Sequence, residues 1–386
     1  MKQGVARLVF TGDILCHREQ LAACRTSSGY EFHPVFGEVS GLLSDADFRI
    51  GNLESPFAGE EAGYSSALYS FNTPDSFLDA LKDTGFELVS TANNHCLDRG
   101  LSGLKRTLDA LDRAGLAHTG TARSAGERDG LCLREINGIR VAFLSYTYGT
   151  NAFANHVFLK EEESWAVNLF QPQETLPGSI HLLDSPERIR ENMRKNRTEE
   201  SSSVYLERLR EDIRSSRSAG ADFVIVLMHS GGQYNRLPDP YTEFLVGKIR
   251  EFGADLIVGN HPHVVQRAVP EGRCPVFYSL GNFACTPGDS PESLRNPIGL
   301  TSLLLYVGLE KGESGTAVAS LSYRITKSVL REDGVSVPRP FRDLLSEESD
   351  PEKRAQLLDE LRIVVNCFRD RPLSLPVEEA EEYSLL

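Results

Sequence analysis

Asp-Leu-Ile-Val-Gly-Asn-His-Pro-His-Val-Val-Gln, residues 255–266, is the segment most informative about the fold. It opens with an apolar run typical of a buried strand, and Gly259 and Asn260 stop that run. His261 and His263 follow on either side of Pro262, whose ring fixes the direction of the backbone. Two imidazoles held in this way at a strand end can reach two adjacent metal ions. A plain loop with two exposed histidines has the same pattern.

Other predicted strands also end at polar residues of the types that bind metals. Residues 5–11 lead into Asp13, 48–50 into Asn52 and Glu54, 87–91 into Asn94 and His95, and 222–228 into His229. Helical patterns separate these strands at residues 75–84, 101–114 and 241–252. Strands that alternate with helices predict an α/β fold, in which ligands bind beyond the carboxyl ends of the strands.

The residue types at these strand ends favour a metal centre. Neutral imidazoles, carboxylates and an amide oxygen together suit Mn²⁺, Zn²⁺ or Fe²⁺. A carboxylate with ligands on either side is what a hydrolytic site for two metals requires. Each piece alone has an ordinary alternative, because Gly-Asp and Asn-Asn are common in turns and a single histidine after a strand is often structural. Several such pieces at strand ends of one chain make a metal-dependent site the better interpretation.

Composition limits the classes of function and the cellular compartment. The formal net charge is −14, which argues against a general nucleic-acid binder because such proteins need clustered Lys and Arg. No apolar run approaches the roughly 20 residues that a membrane helix needs, and no cleavable leader is evident. The seven cysteines include no CxxC pair and are expected to be reduced thiols. These features predict a cytoplasmic protein without a membrane anchor in this chain.

Six motifs, taken in order, resemble one family. They are Gly12-Asp13, Asn52-Leu53-Glu54-Ser55-Pro56, Ala92-Asn93-Asn94-His95 with Asp98 and Gly100, His229-Ser230-Gly231-Gly232-Gln233-Tyr234, Gly259–Gln266 with its His-Pro-His, and Ser279-Leu280-Gly281-Asn282-Phe283. This succession is similar to the CapA family of bacterial capsule-synthesis proteins, which are associated with poly-γ-glutamate. That family is itself similar to the calcineurin-like metallophosphoesterases. The resemblance therefore implies a four-layer α/β/β/α sandwich with two mixed sheets, of the metallophosphatase type.

The resemblance also implies roles for individual residues. Asp13 and His263 match ligands of one metal ion, and Asn94, His229 and His261 match ligands of a second. Either Glu54 or Asn52 falls where the bridging carboxylate belongs, and Glu54 is preferred because a carboxylate can hold two cations. His95 matches the histidine beside the substrate, which protonates a leaving group or stabilises its charge.

Two features depart from the phosphoesterase pattern. That pattern has a histidine two residues after the first aspartate, and this chain has Leu15 there. His17 is a candidate substitute, although its spacing is wrong for a simple exchange. The bridging motif is Asn-Leu-Glu instead of Gly-Asp. The cofactor prediction is therefore one or two divalent metal ions, Mn, Zn or Fe.

Three further residues lie near the motifs and have two interpretations each. Asp98 either orients His95 or caps the following helix. Tyr234 is a candidate substrate contact or part of a glycine-rich loop. Asn282 either supports the metal loops by hydrogen bonding or makes a turn.

The composition along the chain suggests two structural units. Residues 1–330 are expected to form the metallophosphoesterase-like domain, with a polar insertion at about 151–218 whose second half (186–217) is a charged amphipathic helix. Residues 331–386 are expected to be a helical extension, with a helix at 352–368 and a solvated acidic tail at 378–382.

The leading functional hypothesis is a metal-dependent hydrolase in which metal-activated water attacks a phosphoester or amide-type bond. Its substrate would be a small molecule or a polyanionic polymer. The first alternative is a non-catalytic component of capsule synthesis or polymer export that keeps a relict metal site. The second is a soluble nucleotide or sugar-phosphate phosphodiesterase. The specificity loops at 55–72 and 150–185 carry no recognisable code, and the sequence leaves the oligomeric state open.

Overall fold

Two mixed β-sheets form the framework of this computed structural model, which describes residues 3–65, 70–174, 199–287 and 298–386. The strands, numbered in chain order, are β1 (Val5–Ile14), β2 (Arg25–Thr26), β3 (Gly29–Tyr30), β4 (Phe48–Leu53), β5 (Leu88–Ser90), β6 (Ala117–Thr119), β7 (Leu133–Ile136), β8 (Ile139–Thr147), β9 (Phe223–His229), β10 (Leu256–Asn260), β11 (Ala268–Val269), β12 (Val276–Phe277), β13 (Asn282–Ala284), β14 (Thr301–Gly312), β15 (Gly315–Leu330), β16 (Ser336–Pro340) and β17 (Tyr383–Ser384).

The helices lie between these strands along the chain. They are α1 (Arg18–Ala23), α2 (His33–Phe36), α3 (Ser40–Ser44), α4 (Ser76–Asp83), α5 (Gly100–Ala114), α6 (Ala125–Arg128), α7 (Ala152–Asn155), α8 (Glu199–Ser218), α9 (Pro240–Glu251), α10 (Phe341–Glu347) and α11 (Pro351–Phe368). The predicted helices at 75–84, 101–114, 241–252 and 352–368 correspond to α4, α5, α9 and α11. The helix predicted at 186–217 corresponds to α8 from residue 199 onward, and residues 186–198 lie outside the described residues.

Among the described residues, the larger sheet has nine strands in the order β16-β15-β14-β1-β4-β5-β6, with β13 pairing to β1 and β17 pairing to β15. Its strands β1, β4, β5 and β6 are parallel, whereas β14, β15 and β16 are antiparallel. The smaller sheet, in the part of the chain that the structure describes, has six strands in the order β11-β12-β10-β9-β8-β7. Both sheets are therefore mixed, as predicted.

Alternation of side chains along the strands creates three hydrophobic cores within the described residues. In β1, Leu8 and Phe10 face the core between the two sheets, while Val9 faces the core under α4 and α5. In β8, Phe143 faces the same inter-sheet core, while Leu144 faces the core under α8 and α9. Helices cover the outer face of each sheet, so the layers are α, β, β and α. This confirms the predicted fold class.

The apolar residues at 264–269 have the composition of a strand but form only a short one. Only Ala268–Val269 pair as a strand, because the chain after His263 turns back through bridges such as Val265 with Leu280. The apolar residues Val264 and Val265 are buried in the inter-sheet core all the same. Burial in a loop produces the same sequence pattern as a strand.

The chain beyond residue 330 contributes to the larger sheet. β16 pairs with β15, and β17 pairs with the middle of β15. α11 packs against the core between the sheets through Val364 and Phe368. The prediction of a solvated acidic tail at 378–382 is wrong at Glu382, because its carboxylate forms ion pairs with Arg7 and Arg324. The division into units at residue 330 stays a prediction.

Candidate metal centre

Asp13 lies at the carboxyl end of β1, between β4 and β13. It is in register with Asn52 on β4 and with Asn282 on β13. The residue before it must be glycine, because a Cβ on Gly12 would lie 2.0 Å from the carbonyl oxygen of Gly281. This close approach of two backbones brings all three polar side chains to one edge of the larger sheet.

Glu54 follows β4 and is completely buried. Among the described residues, neither of its carboxylate oxygens accepts a hydrogen bond. Burial, together with the negative charge of Asp13, holds the pKa of Glu54 well above its usual value. A buried carboxylate without hydrogen-bond partners is costly, and a bound cation is the usual compensation.

Carboxylates and imidazoles form two groups of possible ligands that share Glu54. One group is Glu54, His261 and His263, and the other is Asp13, Glu54 and His229, with the ligand atoms of each group within 4.8 Å of one another. All five residues are buried. Glu54 therefore occupies the position that a bridging carboxylate requires, and the residues fit a divalent metal centre in number and donor type.

Asn52, the alternative bridging residue, is engaged differently. Its Nδ2 donates to Asp13 Oδ1 at 2.7 Å, and its Oδ1 accepts from the hydroxyl of Ser90 at 2.9 Å. Nδ2 also lies 3.3 Å from His229 Nδ1. Asn52 thus contacts two ligand candidates, Asp13 and His229, through its amide nitrogen, while its amide oxygen is engaged by Ser90.

His229 is delivered by the end of β9, which is parallel to β8 and β10. Its Nε2 lies 2.7 Å from Asn94 Oδ1 and 3.5 Å from Glu54 Oε1. Burial lowers the pKa of His229 to about 3. The imidazole is therefore neutral at physiological pH, which is the form that binds metals.

The His-Pro-His loop has an uncommon backbone conformation. His261 has φ of 101° and His263 has φ of 56°, values that residues other than glycine rarely adopt. Two hydrogen bonds from backbone amides hold the loop, from His261 N to Asp13 Oδ2 at 3.2 Å and from Tyr234 N to Pro262 O at 2.7 Å. Strained conformations that the surrounding structure enforces are concentrated at functional sites.

His263 contacts oxygens of the larger sheet through its Nδ1, which lies 2.9 Å from Asn282 Oδ1 and 3.1 Å from Asp13 Oδ2. Burial alone would lower the pKa of His263, but the charges of Glu54 and Asp13 outweigh it and raise the pKa to about 9. At Asp13, burial alone would raise the pKa of the carboxyl group. The hydrogen bond from His263 and the charge of its imidazole oppose burial, and the pKa of Asp13 is lowered. A proton on His263 offsets neighbouring carboxylate charge, a role that a bound cation would take over.

His95 and Asp98 lie beside the two ligand groups as a buried pair. His95 Nδ1 contacts Asp98 Oδ2 at 2.8 Å, and the ring of Phe71 packs edge-on against His95 with 4.5 Å between centroids. Asp98 thus orients the imidazole, as one of its two predicted roles requires. The capping role is not seen, because Asp98 bonds Phe71 N and Asn155 Nδ2 instead of amides of α5.

The remaining predicted residues lie around the centre. Tyr234 places its ring 5.8 Å from that of His263, and Asn282 orients His263 as described. His17 is not in either ligand group among the described residues, and its Nδ1 accepts from Thr286 N at 3.4 Å. Leu15 is 5% exposed, so an apolar side chain stands where the phosphoesterase pattern has a histidine.

Sequence reasoning missed three residues that touch the site. Tyr148 packs 4.6 Å from the ring of His261 and directly follows β8, so the strand-end argument could have identified it. Phe71 and Asn155 lie in irregular or one-turn segments, where no periodic pattern marks them. Their contacts with His95 and Asp98 depend on the path of the loops.

Two mixed sheets between helices, with buried carboxylates and imidazoles at the strand ends, define an α/β sandwich protein with a candidate metal centre. The family described as bacterial capsule synthesis protein PGA_cap matches residues 7–287 of this chain. The chain therefore belongs to that family, and the resemblance to CapA proteins is confirmed.

Several individual proteins are similar to the chain. The capsule biosynthesis protein CapA of Bacillus anthracis is 29% identical over 257 residues, which cover 66% of this chain and 54% of that protein. The PGA biosynthesis protein CapA of Bacillus subtilis is 25% identical over 284 residues, covering 72% and 63%. The chain thus spans little more than half the length of the Bacillus anthracis relative.

Two solved structures are similar to this chain at low TM-scores. A hypothetical protein from Thermus thermophilus has a TM-score of 0.43 at 15% identity, covering 83% of this chain and 99% of that one. A 5'-nucleotidase from Candida albicans has a TM-score of 0.38 at 11% identity, covering 80% and 48%.

Within the part of the chain that the structure describes, none of the helices has the length and hydropathy of a membrane span.

Proposed function

We propose that this chain is a metal-dependent hydrolase that cleaves a phosphoester or amide-type bond in a polyanionic substrate connected with capsule polymer. The observation that carries the proposal is Glu54, a completely buried carboxylate that accepts no hydrogen bond from the described residues and is shared by two groups of ligand residues. A protein that needed only a stable core would gain by replacing such a group. Its presence is best explained by cations that it binds.

The residues divide naturally between two cations. By the proximity of their ligand atoms, Glu54, His261 and His263 would hold one, and Asp13, Glu54 and His229, with Asn94 beside His229, would hold the other. The mixture of oxygen and imidazole donors suits Mn²⁺, Zn²⁺ or Fe²⁺. Bound divalent cations supply an activated water and neutralise charge that develops on the substrate.

The chain itself contributes the remaining chemistry. His95 is fixed by Asp98 through Nδ1, which leaves Nε2 as the nitrogen available to a substrate. It is therefore the candidate to give a proton to the leaving group or to stabilise its charge. Tyr148 and Tyr234 flank the imidazoles of His261 and His263 and limit the space beside them.

A polyanionic substrate is supported by the family and by the chemistry of the centre. The matching Bacillus proteins are described as acting in capsule and PGA biosynthesis. Because the chain has a net charge of −14, attraction of an anion has to come from local cations. Metal occupancy would thus govern both binding and turnover.

The test combines metal analysis with hydrolysis assays. The purified protein should contain Mn, Zn or Fe, and with added Mn²⁺ it should hydrolyse members of a panel of phosphoesters and γ-glutamyl peptides. His229→Ala should lose both the metal and the turnover, while His33→Ala, which changes an exposed histidine, should keep both. Absence of metal together with unchanged hydrolysis in His229→Ala would refute the proposal.

One observation favours the alternative of a non-catalytic capsule component with a relict site. Leu15 removes an imidazole donor from the side of Asp13, so that cation has fewer protein ligands. The same panel distinguishes the two functions. Metal bound without turnover on any phosphoester or γ-glutamyl peptide would indicate the non-catalytic component.

A further inference from the structure

The carboxylate of Asp98 is held on both of its oxygens. Its side chain is fully buried, and Oδ2 accepts hydrogen bonds from His95 Nδ1 at 2.8 Å and from Phe71 N at 2.7 Å. Oδ1 accepts from Asn155 Nδ2 at 2.8 Å. Rotation of the carboxylate would break these bonds together, so the orientation of His95 depends on donors that lie outside the two sheets.

Asn155 is presented by a short segment with an unusual conformation. It is the last residue of α7, and the residues at the two ends of that helical turn, Asn151 and His156, have φ of 51° and 55°. Residues other than glycine adopt such values infrequently, so other contacts must hold this turn in place.

Gln173 and Glu174, which come later in the chain, provide those contacts. The carboxylate of Glu174 accepts from the backbone amides of Thr150 and Ala152 at the start of α7. The side chain of Gln173 donates to Thr150 Oγ1 at 2.6 Å and accepts from Leu159 N at 2.8 Å. The segment is thus fastened at both ends, and Asn155 is carried at its centre.

We propose that Asn155 is a positioning residue for the reaction, acting through Asp98 to hold His95 against the leaving group of the substrate. The inference rests on the proposed hydrolase function and extends it. Asn155 fixes Oδ1 of Asp98, which keeps Oδ2 on His95 Nδ1 and directs Nε2 of the same ring toward the substrate. The 150–159 segment belongs to the predicted insertion. Through Asn155 it therefore contributes to the proton-transfer step of His95.

The kinetic test uses leaving groups of different basicity. Wild type, Asn155→Ala and Asn155→Asp would be compared on bis(p-nitrophenyl) phosphate and on diphenyl phosphate with Mn²⁺. Asn155→Ala should lose about tenfold in kcat on the poorer leaving group, because departure of that group needs the proton, and change little on the activated one. Asn155→Asp, which puts an acceptor beside Asp98, should lose more. Equal losses on both substrates, or none, would overturn the proposal.

A second measurement does not depend on activity. The Nδ1 proton of His95, assigned by its absence in His95→Gln, should give a slowly exchanging NMR signal because it is bonded to Asp98. Asn155→Ala should shift or broaden that signal, and the control Glu162→Ala, on the exposed part of the same insertion, should not. An unchanged signal in folded Asn155→Ala would overturn the inference even if no substrate is ever turned over.

The two measurements distinguish failure of the positioning role from failure of the hydrolase function. If the protein hydrolyses nothing but the His95 signal responds to Asn155, the hydrolase function fails and the positioning contact stands. If hydrolysis depends on His229 but neither the signal nor the leaving-group dependence responds to Asn155, the positioning role fails alone. The thermal midpoint of Asn155→Ala, expected to equal that of wild type within a few degrees, verifies folding.

Discussion

The two sheets contribute different chemistry to the same centre. The nine-stranded sheet supplies the oxygen donors Asp13, Glu54 and Asn94, whereas the six-stranded sheet supplies the imidazoles of His229 and His261–His263. Every one of these imidazoles is near an oxygen or amide of the other sheet. Neither sheet has a complete set of ligands, so the centre exists only where the two sheets pack together.

The contacts that orient the histidines across this junction come from side chains of the larger sheet. Asn282 on β13 bonds His263, Asn94 contacts His229, and Asp13 accepts from the backbone of His261. The larger sheet therefore fixes the imidazoles of His229 and His263 and the backbone of His261. Four substitutions test this division of labour between the sheets, and they are ordered by the size of the change that we expect.

Removing the shared carboxylate should change the protein most. Glu54→Gln keeps the size of the side chain but takes away the group common to both ligand sets. We expect hydrolysis to fall at least about 1000-fold, equal to about 4 kcal/mol of barrier, and the metal content to fall with it. The metal-free protein should instead become more stable, by about 1 kcal/mol, because a buried carboxylate that has no hydrogen bond from the described residues and that lies beside the charge of Asp13 is gone. Calorimetry of the chelated proteins checks this, and a lower thermal midpoint in Glu54→Gln would contradict it.

Displacing Asp13 through the backbone should have the second strongest effect. Gly12→Ala places a Cβ against the carbonyl of Gly281, so β1 and β13 must separate. We expect a loss of about 2–3 kcal/mol in unfolding free energy, visible as a decrease of roughly 5 °C in Tm. Gly41→Ala is the control, since nothing lies within 4 Å of its added Cβ. Equal behaviour of the two variants would show that this close approach is unimportant.

Loosening one imidazole should weaken metal binding moderately. Asn282→Ala removes the acceptor that fixes His263, and we expect about 10- to 100-fold weaker binding of Mn²⁺ in titration calorimetry. Asn282→Asp keeps an acceptor on His263 and loses only the donor to Gly299 O, so its affinity should stay close to wild type. If both variants bind as wild type does, the orientation of His263 does not depend on the larger sheet.

Adding an imidazole to the larger sheet should change the protein least, and with the opposite sign. Leu15→His puts an imidazole two residues after Asp13, the position at which the phosphoesterase pattern has a histidine. We expect the affinity for the cation on the Asp13 side to rise about three- to tenfold. A tenfold rise equals about 1.4 kcal/mol of binding free energy. Leu15→Met, which stays apolar, is the control. Unchanged affinity in Leu15→His would show that the Asp13 side of the centre is complete without it.

Part of this molecule follows from local sequence alone. A buried apolar run ended by glycine or a polar residue predicts a strand and its end, and this located Asp13, Glu54, His229 and His261 correctly at strand ends. Helix periodicity likewise located α4, α5, α9 and α11 to within two residues at each end. These features could be predicted because their signals lie within one element, where the geometry is fixed by the period of that element.

Other features depend on contacts between distant parts of the chain. The sequence could prefer Glu54 over Asn52 as the shared carboxylate, but their surroundings differ only in the folded protein, where Asn52 is hydrogen-bonded and Glu54 has no hydrogen bond to the described residues. The joining of β16 and β17 to the larger sheet, and the contact of Asn155 with Asp98, link residues far apart in the chain. Such pairings are settled by how the whole chain packs, and no repeat or spacing within a short window carries that information.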